Sequence, residues 1–192
     1  PCGRHSECAS GVCAKDDSDA AYGIRQGSCV PFDQVLVVDQ NLCSRGGPIF
    51  CTPQQAIDRL GPMRRYVVLR KGAQASDFTN LTLSALPVLE GLVFHFIGPL
   101  ADAPPHRADS EPAVTIGGVS GRDGFVVNRG NVVLEGLYVR GNRFGVACQS
   151  PSASVRIVRS LFVDLGGVRG RLEGLDPASR ERIAALAPPR AA

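Results

Sequence analysis

No stretch of this 192-residue chain approaches the ~20 consecutive apolar residues that a bilayer-crossing helix requires, so no such helix is expected. Lysine is nearly missing. Apart from Lys15 and Lys71, all of the 21 cationic side chains are arginines, scattered among 18 acids as on a solvated surface. They nowhere cluster with aromatic residues, and a net charge of +3 makes no case for nucleic acid as a partner. CxxC spacing is absent as well, which argues against a zinc site. The chain opens on Pro1, without Met and without a secretory leader, and reads as a fragment or mature segment. Its compartment must therefore be inferred from its cysteines.

Four cysteines, Cys2, Cys8, Cys13 and Cys29, fall within the first thirty residues. Few apolar side chains accompany them, so this head (residues 1–31) cannot bury a core of its own, and disulfides are the usual remedy. Of the three connectivities open to four cysteines, Cys2–Cys13 with Cys8–Cys29 is preferred. A zinc site is the rival, with His5 as the one nearby imidazole. The acidic DDSD (16–19) offers oxygens to calcium but lacks the DxDxDG pattern and its distal Glu, so no cofactor is expected. The motif CASGVC…GSCVP resembles small Dickkopf-like or EB-type cysteine-rich modules. That resemblance implies a structural or interaction unit of a secreted protein and no catalysis.

The next segment has ordered local grammar. VLVV (35–38) is a β-branched run expected as a strand. Cys43 and Cys51 bracket a turn-rich loop that a Cys43–Cys51 disulfide can close. Thr52 can cap a helix, with Pro53 at its first position and Gln55 completing a capping box. Ala56, Ile57 and Leu60 give that helix an apolar face over about 53–60, and Gly61-Pro62 ends it. RRYVVLRKG then supplies another strand. Residues 35–72, and PIFCTPQQAIDRLGPMRRYVVLRKG above all, resemble the opening of secreted bacterial right-handed parallel β-helix proteins of the pectate-lyase-like kind. The resemblance implies that the helix covers the N-terminal end of the solenoid, where apolar rungs and strand edges would otherwise be open.

Short apolar runs recur beyond that point. Phe94, Ile116, Leu134 and Ile157 are separated by 22, 18 and 23 residues, an interval expected of one solenoid coil. In NVVLEGLYVRG, Val132, Leu134, Leu137 and Val139 face one way, and Val133, Glu135, Tyr138 and Arg140 the other. In the next run Val155, Ile157, Ser160 and Phe162 take the inward places, and Gly136 marks a corner between two strands. The expected fold is mainly β: a right-handed parallel β-helix of few coils over 35–165, with a β-sandwich as rival. The loop PLADAPPHRADSEP (99–112) interrupts one interval. Cys148 falls at an inward position with no partner and is expected as a buried free thiol. The tail, 166–192, leaves the pattern: a capping helix from Asp176 competes with the favoured reading, a segment foreign to the fold.

Chemistry is sparse. No paired or stacked carboxylates and no histidine–acid pair emerge from the alternation, with Glu135 placed between Val158 and about Gly117. Asp123 reads as a turn residue in GRDGF, Asp164 as an isolated acid, His95 as a strand histidine and His106 as a solvated loop residue. The sequon NLT (80–82) matters only in a host that glycosylates. No catalytic residue and no metal ligand is assigned. Tyr138, Arg140 and Arg143 are the candidate ligand-binding residues, an aromatic face for a sugar ring and guanidinium groups for carboxylates. The expected role is non-catalytic: adhesion, or recognition of carbohydrate or cell-surface components, outside the cell or at its surface. The alternatives are the N-terminal portion of a polysaccharide lyase or glycoside hydrolase with its catalytic coils beyond residue 165, and a structural spacer.

Overall fold

The computed structural model describes residues 1–14, 27–43, 47–70, 81–82, 92–102, 116–117, 122–140 and 143–163. In the head, β1 (Cys13–Ala14) and β2 (Ser28–Cys29) pair antiparallel. The body continues with β3 (Val35–Val38), β4 (Ile49–Phe50), the helix α1 (Pro53–Ile57), β5 (Tyr66–Leu69), β6 (Leu81–Thr82) and β7 (Val93–Ile97). Then come β8 (Ile116–Gly117), β9 (Phe125–Val127), β10 (Gly130–Glu135), β11 (Tyr138–Arg140), β12 (Val146–Cys148), β13 (Ala153–Val158) and β14 (Leu161–Val163).

All described body strands pair in parallel, which excludes the antiparallel sandwich. They form a six-stranded sheet, β13-β10-β7-β5-β3-β4, and two three-stranded sheets, β14-β11-β8 and β12-β9-β6. From β7 onward the chain visits the first, second and third sheets in turn. It does so through β7, β8 and β9, again through β10, β11 and β12, and begins once more with β13 and β14.

Inward side chains stack from strand to strand. Leu36, Val67, Phe96, Leu134 and Ile157 form one such row across the large sheet. With Leu137 from the corner before β11, Ile116 and Val139 from the second sheet and Phe125, Val127 and Val146 from the third, most of this row belongs to one buried core. Each such side chain contributes about 1.5–3 kcal/mol by leaving water. Val132, Leu134, Leu137 and Val139 all face this core. Ser160 takes an inward place by pairing its hydroxyl with the Leu137 amide and the Leu134 and Val158 carbonyls.

The expected register needs correcting. Leu134 and Ile157 are partners, but Phe94 pairs with Val132, and Ile116 pairs with Val139 in a different sheet. Glu135 lies between Ile97 and Val158, not beside Gly117. Phe96 and Leu134, paired neighbours, are 38 residues apart, whereas Leu134 and Ile157 are 23 apart. A near-constant interval therefore misplaces the register, because burial of one face, not chain length, decides which residues stand opposite.

Helix α1 is shorter than the expected 53–60. The Thr52–Gln55 capping box forms, but Asp58 already ends the helix and tight turns at Arg59 and Leu60 redirect the chain toward β5. Ala56 and Ile57 still reach the core. Gly136 sits at the corner between β10 and β11 with φ +65°, and a Cβ there would lie 2.0 Å from the Ala101 amide nitrogen. Both the left-handed backbone and the close approach require glycine.

Disulfides join Cys2–Cys13, Cys8–Cys29 and Cys43–Cys51. The head does not stand apart from the body. Val12 and Val30, linked by a backbone hydrogen bond, pack with Val35, Val37, Val68, Ile97 and Ala101 in a second apolar cluster. Val37, Val68 and Ile97 are the outward row of the large sheet, so the head covers that face. The tail, 166–192, lies outside the described residues, as do DDSD, Asn80, His106 and Asp164.

Candidate functional site

A set of titratable groups lies where the head meets the large sheet. A 3-10 turn, His5–Glu7, presents two consecutive amides to one carboxylate: the His5 and Ser6 N–H groups donate to Asp102 at 2.8 and 2.6 Å. Asp102 stands just past β7, on the turn that Gly98 and Ala101 close against Gly136. Burial alone would raise its carboxyl pKa. The hydrogen bonds from the Ser6 and His5 amides and the Ser6 side chain outweigh that effect and hold it below its ordinary value.

His5 is itself buried. Its Nδ1 accepts the Cys13 amide at 3.1 Å, which leaves the proton of the neutral ring on Nε2. That Nε2 lies 3.4 Å from Glu135 Oε2 but forms no hydrogen bond, so the contact is electrostatic and poorly directed. A histidine–acid pair therefore exists, contrary to the sequence expectation. Its partners are separated by 130 positions, and only docking of the head on the sheet unites them. With its Nδ1 lone pair occupied and its ring enclosed, His5 has no free basic nitrogen to offer a substrate. The constellation acts as a clamp.

The three predicted ligand-binding residues do not form one open groove. Tyr138 is buried, so its ring face is not available to a sugar. An outward position on β11 does not make it exposed, because side-chain burial by neighbouring structure cannot be read from alternation. Arg140 is exposed at the end of the same strand. Arg143 is exposed and bidentate, with Nε and an Nη each 3.0 Å from the buried Asp123 carboxylate, and it lies 5.2 Å over the Phe144 ring. Hydrogen bonding to Asp123, then its charge, pushes the Arg143 guanidinium pKa up against a smaller opposing effect of burial. Asp123 is thus an ion-pair partner and not simply a turn residue.

A repeat connects these groups. Residues 122–127 (RDGFVV) and 143–148 (RFGVAC) lie side by side: the Arg143 amide donates to the Arg122 carbonyl, Gly124 to Phe144 and Phe125 to Gly145. The R-x-G pattern recurs after 21 residues and was the available signal that Arg122 and Arg143 occupy equivalent corners. No family model, curated protein or solved structure matches this chain.

Cys148, the free cysteine among the described residues, is half-buried against the core, and burial raises its thiol pKa. The sulfurs of Cys2, Cys8 and Cys29 lie within 4.8 Å of one another, but each is committed to a disulfide and supplies no thiolate for a metal. His95 stacks on Tyr66, with centroids 5.0 Å apart. No helix among the described residues is long and apolar enough to cross a membrane.

Proposed function

We propose that this chain is a secreted, non-catalytic right-handed parallel β-helix that recognises an acidic polysaccharide at the cell surface. The cyclic visiting of three parallel sheets supports the solenoid, and three disulfides support an oxidising compartment. The observation that carries the binding role is the corner built by the R-x-G repeat. Arg122 and Arg143 stand on adjacent rungs ~4.8 Å apart, with exposed Arg140 three positions before Arg143 and the Phe144 ring alongside. Guanidinium groups on neighbouring rungs suit the carboxylates of a uronic-acid polymer, which they meet bidentately, and the half-exposed ring offers an apolar face to a sugar. Asp123 holds Arg143 in position and lowers the net charge, which favours a spaced-charge polymer over a dense polyanion.

The test is affinity electrophoresis and calorimetry against polygalacturonate and a neutral glucan. Binding of the acidic polymer that Arg122→Ala and Arg140→Ala each weaken, without loss of fold, supports the reading. Equal retention by both polymers, or none by either, defeats it. Cleavage of the polymer by purified protein would support the polysaccharide-lyase or hydrolase alternative instead.

A further inference from the structure

The N-terminal end of the large sheet carries a second, separate surface. Strand β4 is the outermost strand there, paired with β3 on one side, and no described strand pairs with its other edge. An open cleft of about 1000 Å³ runs beside it, lined by Phe32, Ile49 and Phe50 and rimmed by Asp33, Asp58, Arg59 and Arg64. Phe32, among the most exposed large apolar residues of those described, stands 60% exposed on the wall of this cleft. Arg64 reaches back to the Asp33 carbonyl at 3.3 Å, which fixes the Phe32 turn as one wall of the cleft.

Two features say what fits there. An edge strand with open backbone groups is completed by another strand. The rim carries both signs, two acids and two arginines beside Phe32, Ile49 and Phe50, so a second copy turned about a two-fold axis can meet each sign with its opposite. A strongly basic or acidic peptide would meet like charges on this rim. We infer that the occupant is a second copy of this chain, docked end to end so that β4 meets its symmetry mate antiparallel, with Phe32 in the partner's cleft and the arginines of each copy facing the acids of the other. The pairing uses a two-residue strand, Ile49–Phe50, with Pro48 unable to donate, so the dimer is weak and concentration-dependent.

The experiment is sedimentation equilibrium on the intact chain from micromolar to submillimolar concentration, with circular dichroism as a check on folding. The mass is expected to rise from 20.3 kDa toward twice that value. Two charge variants decide the interface. Asp33→Arg with Asp58→Arg makes the rim all basic, and Arg59→Glu with Arg64→Glu makes it all acidic. Each alone is expected to weaken self-association by about tenfold or more, and an equimolar mixture of the two is expected to restore dimer as a heterodimer. Phe32→Ser, at an exposed position, is expected to abolish it. A chain that stays monomeric throughout, or dimers indifferent to all three variants, overturns the inference. So does a mixture that fails to associate while both variants remain folded.

Discussion

Replacing Asp102 by alanine removes the one carboxylate that receives both the His5 and Ser6 amides, at 2.8 and 2.6 Å. A hydrogen bond to a charged group contributes about 1.5–3 kcal/mol where water cannot substitute. Ser6 is exposed, so water replaces the carboxylate at its amide and that contribution falls toward zero. His5 is 6% exposed, and its amide is left without an acceptor. The expected loss is therefore about 2 kcal/mol, near one bond's worth and not two. Asp102→Asn retains an acceptor without the charge and is expected to lose about half as much. Urea denaturation followed by far-UV circular dichroism measures the total. Amide exchange at His5, Ser6 and Cys13 localises it to the head, while the Phe96 and Leu134 amides of the large sheet keep their protection. A loss under about 0.5 kcal/mol with unchanged exchange at His5 would refute the clamp, because the enclosed amide would then have been satisfied otherwise.

Acid should loosen the same junction. The folded Asp102 carboxyl titrates below its ordinary 3.8, so its stabilising contribution is complete above that pH and is lost as pH falls through the lower folded value. The protection factor of the Ser6 amide, taken relative to its intrinsic exchange rate on either side of that range, checks this, and a loss of protection beginning near neutral pH would contradict it. Gly136→Ala should destabilise by more than about 3 kcal/mol, since strain at positive φ adds to a collision with the Ala101 backbone. A soluble variant with wild-type unfolding would show that this corner is wrongly assigned. Cys148 should react slowly with maleimide in the native protein, because burial disfavours its thiolate, and rapidly once urea exposes it. Thiol counting in urea without reductant should find one free thiol, mapped to Cys148 by peptide mass, and more than one would remove a bridge.

Much of the local order was legible in the residues themselves. The β-branched run VLVV, the alternation in NVVLEGLYVRG, the Thr52–Gln55 capping box and the glycine at the Gly136 corner all act over a few positions, where the chain's own geometry decides. The candidate site was legible only in part. Arg143 was recognisable as an outward cation, yet its engagement with Asp123 depends on two corners stacking, and the R-x-G repeat that announces this spans two short and degenerate segments. Tyr138 failed as a binding platform because outward on a strand is not the same as exposed.

Composition and alternation by themselves determined a mainly β chain with a cysteine-rich head, since period-two burial and sparse apolar content are properties of adjacent residues. Tertiary structure alone decided the register of the sheets, the seating of the head on the outward row Val37–Val68–Ile97, and the meeting of His5 with Asp102 and Glu135. Those depend on which apolar face finds another across a hundred or so residues of chain, and that choice is made by burial of surface and not by any local preference.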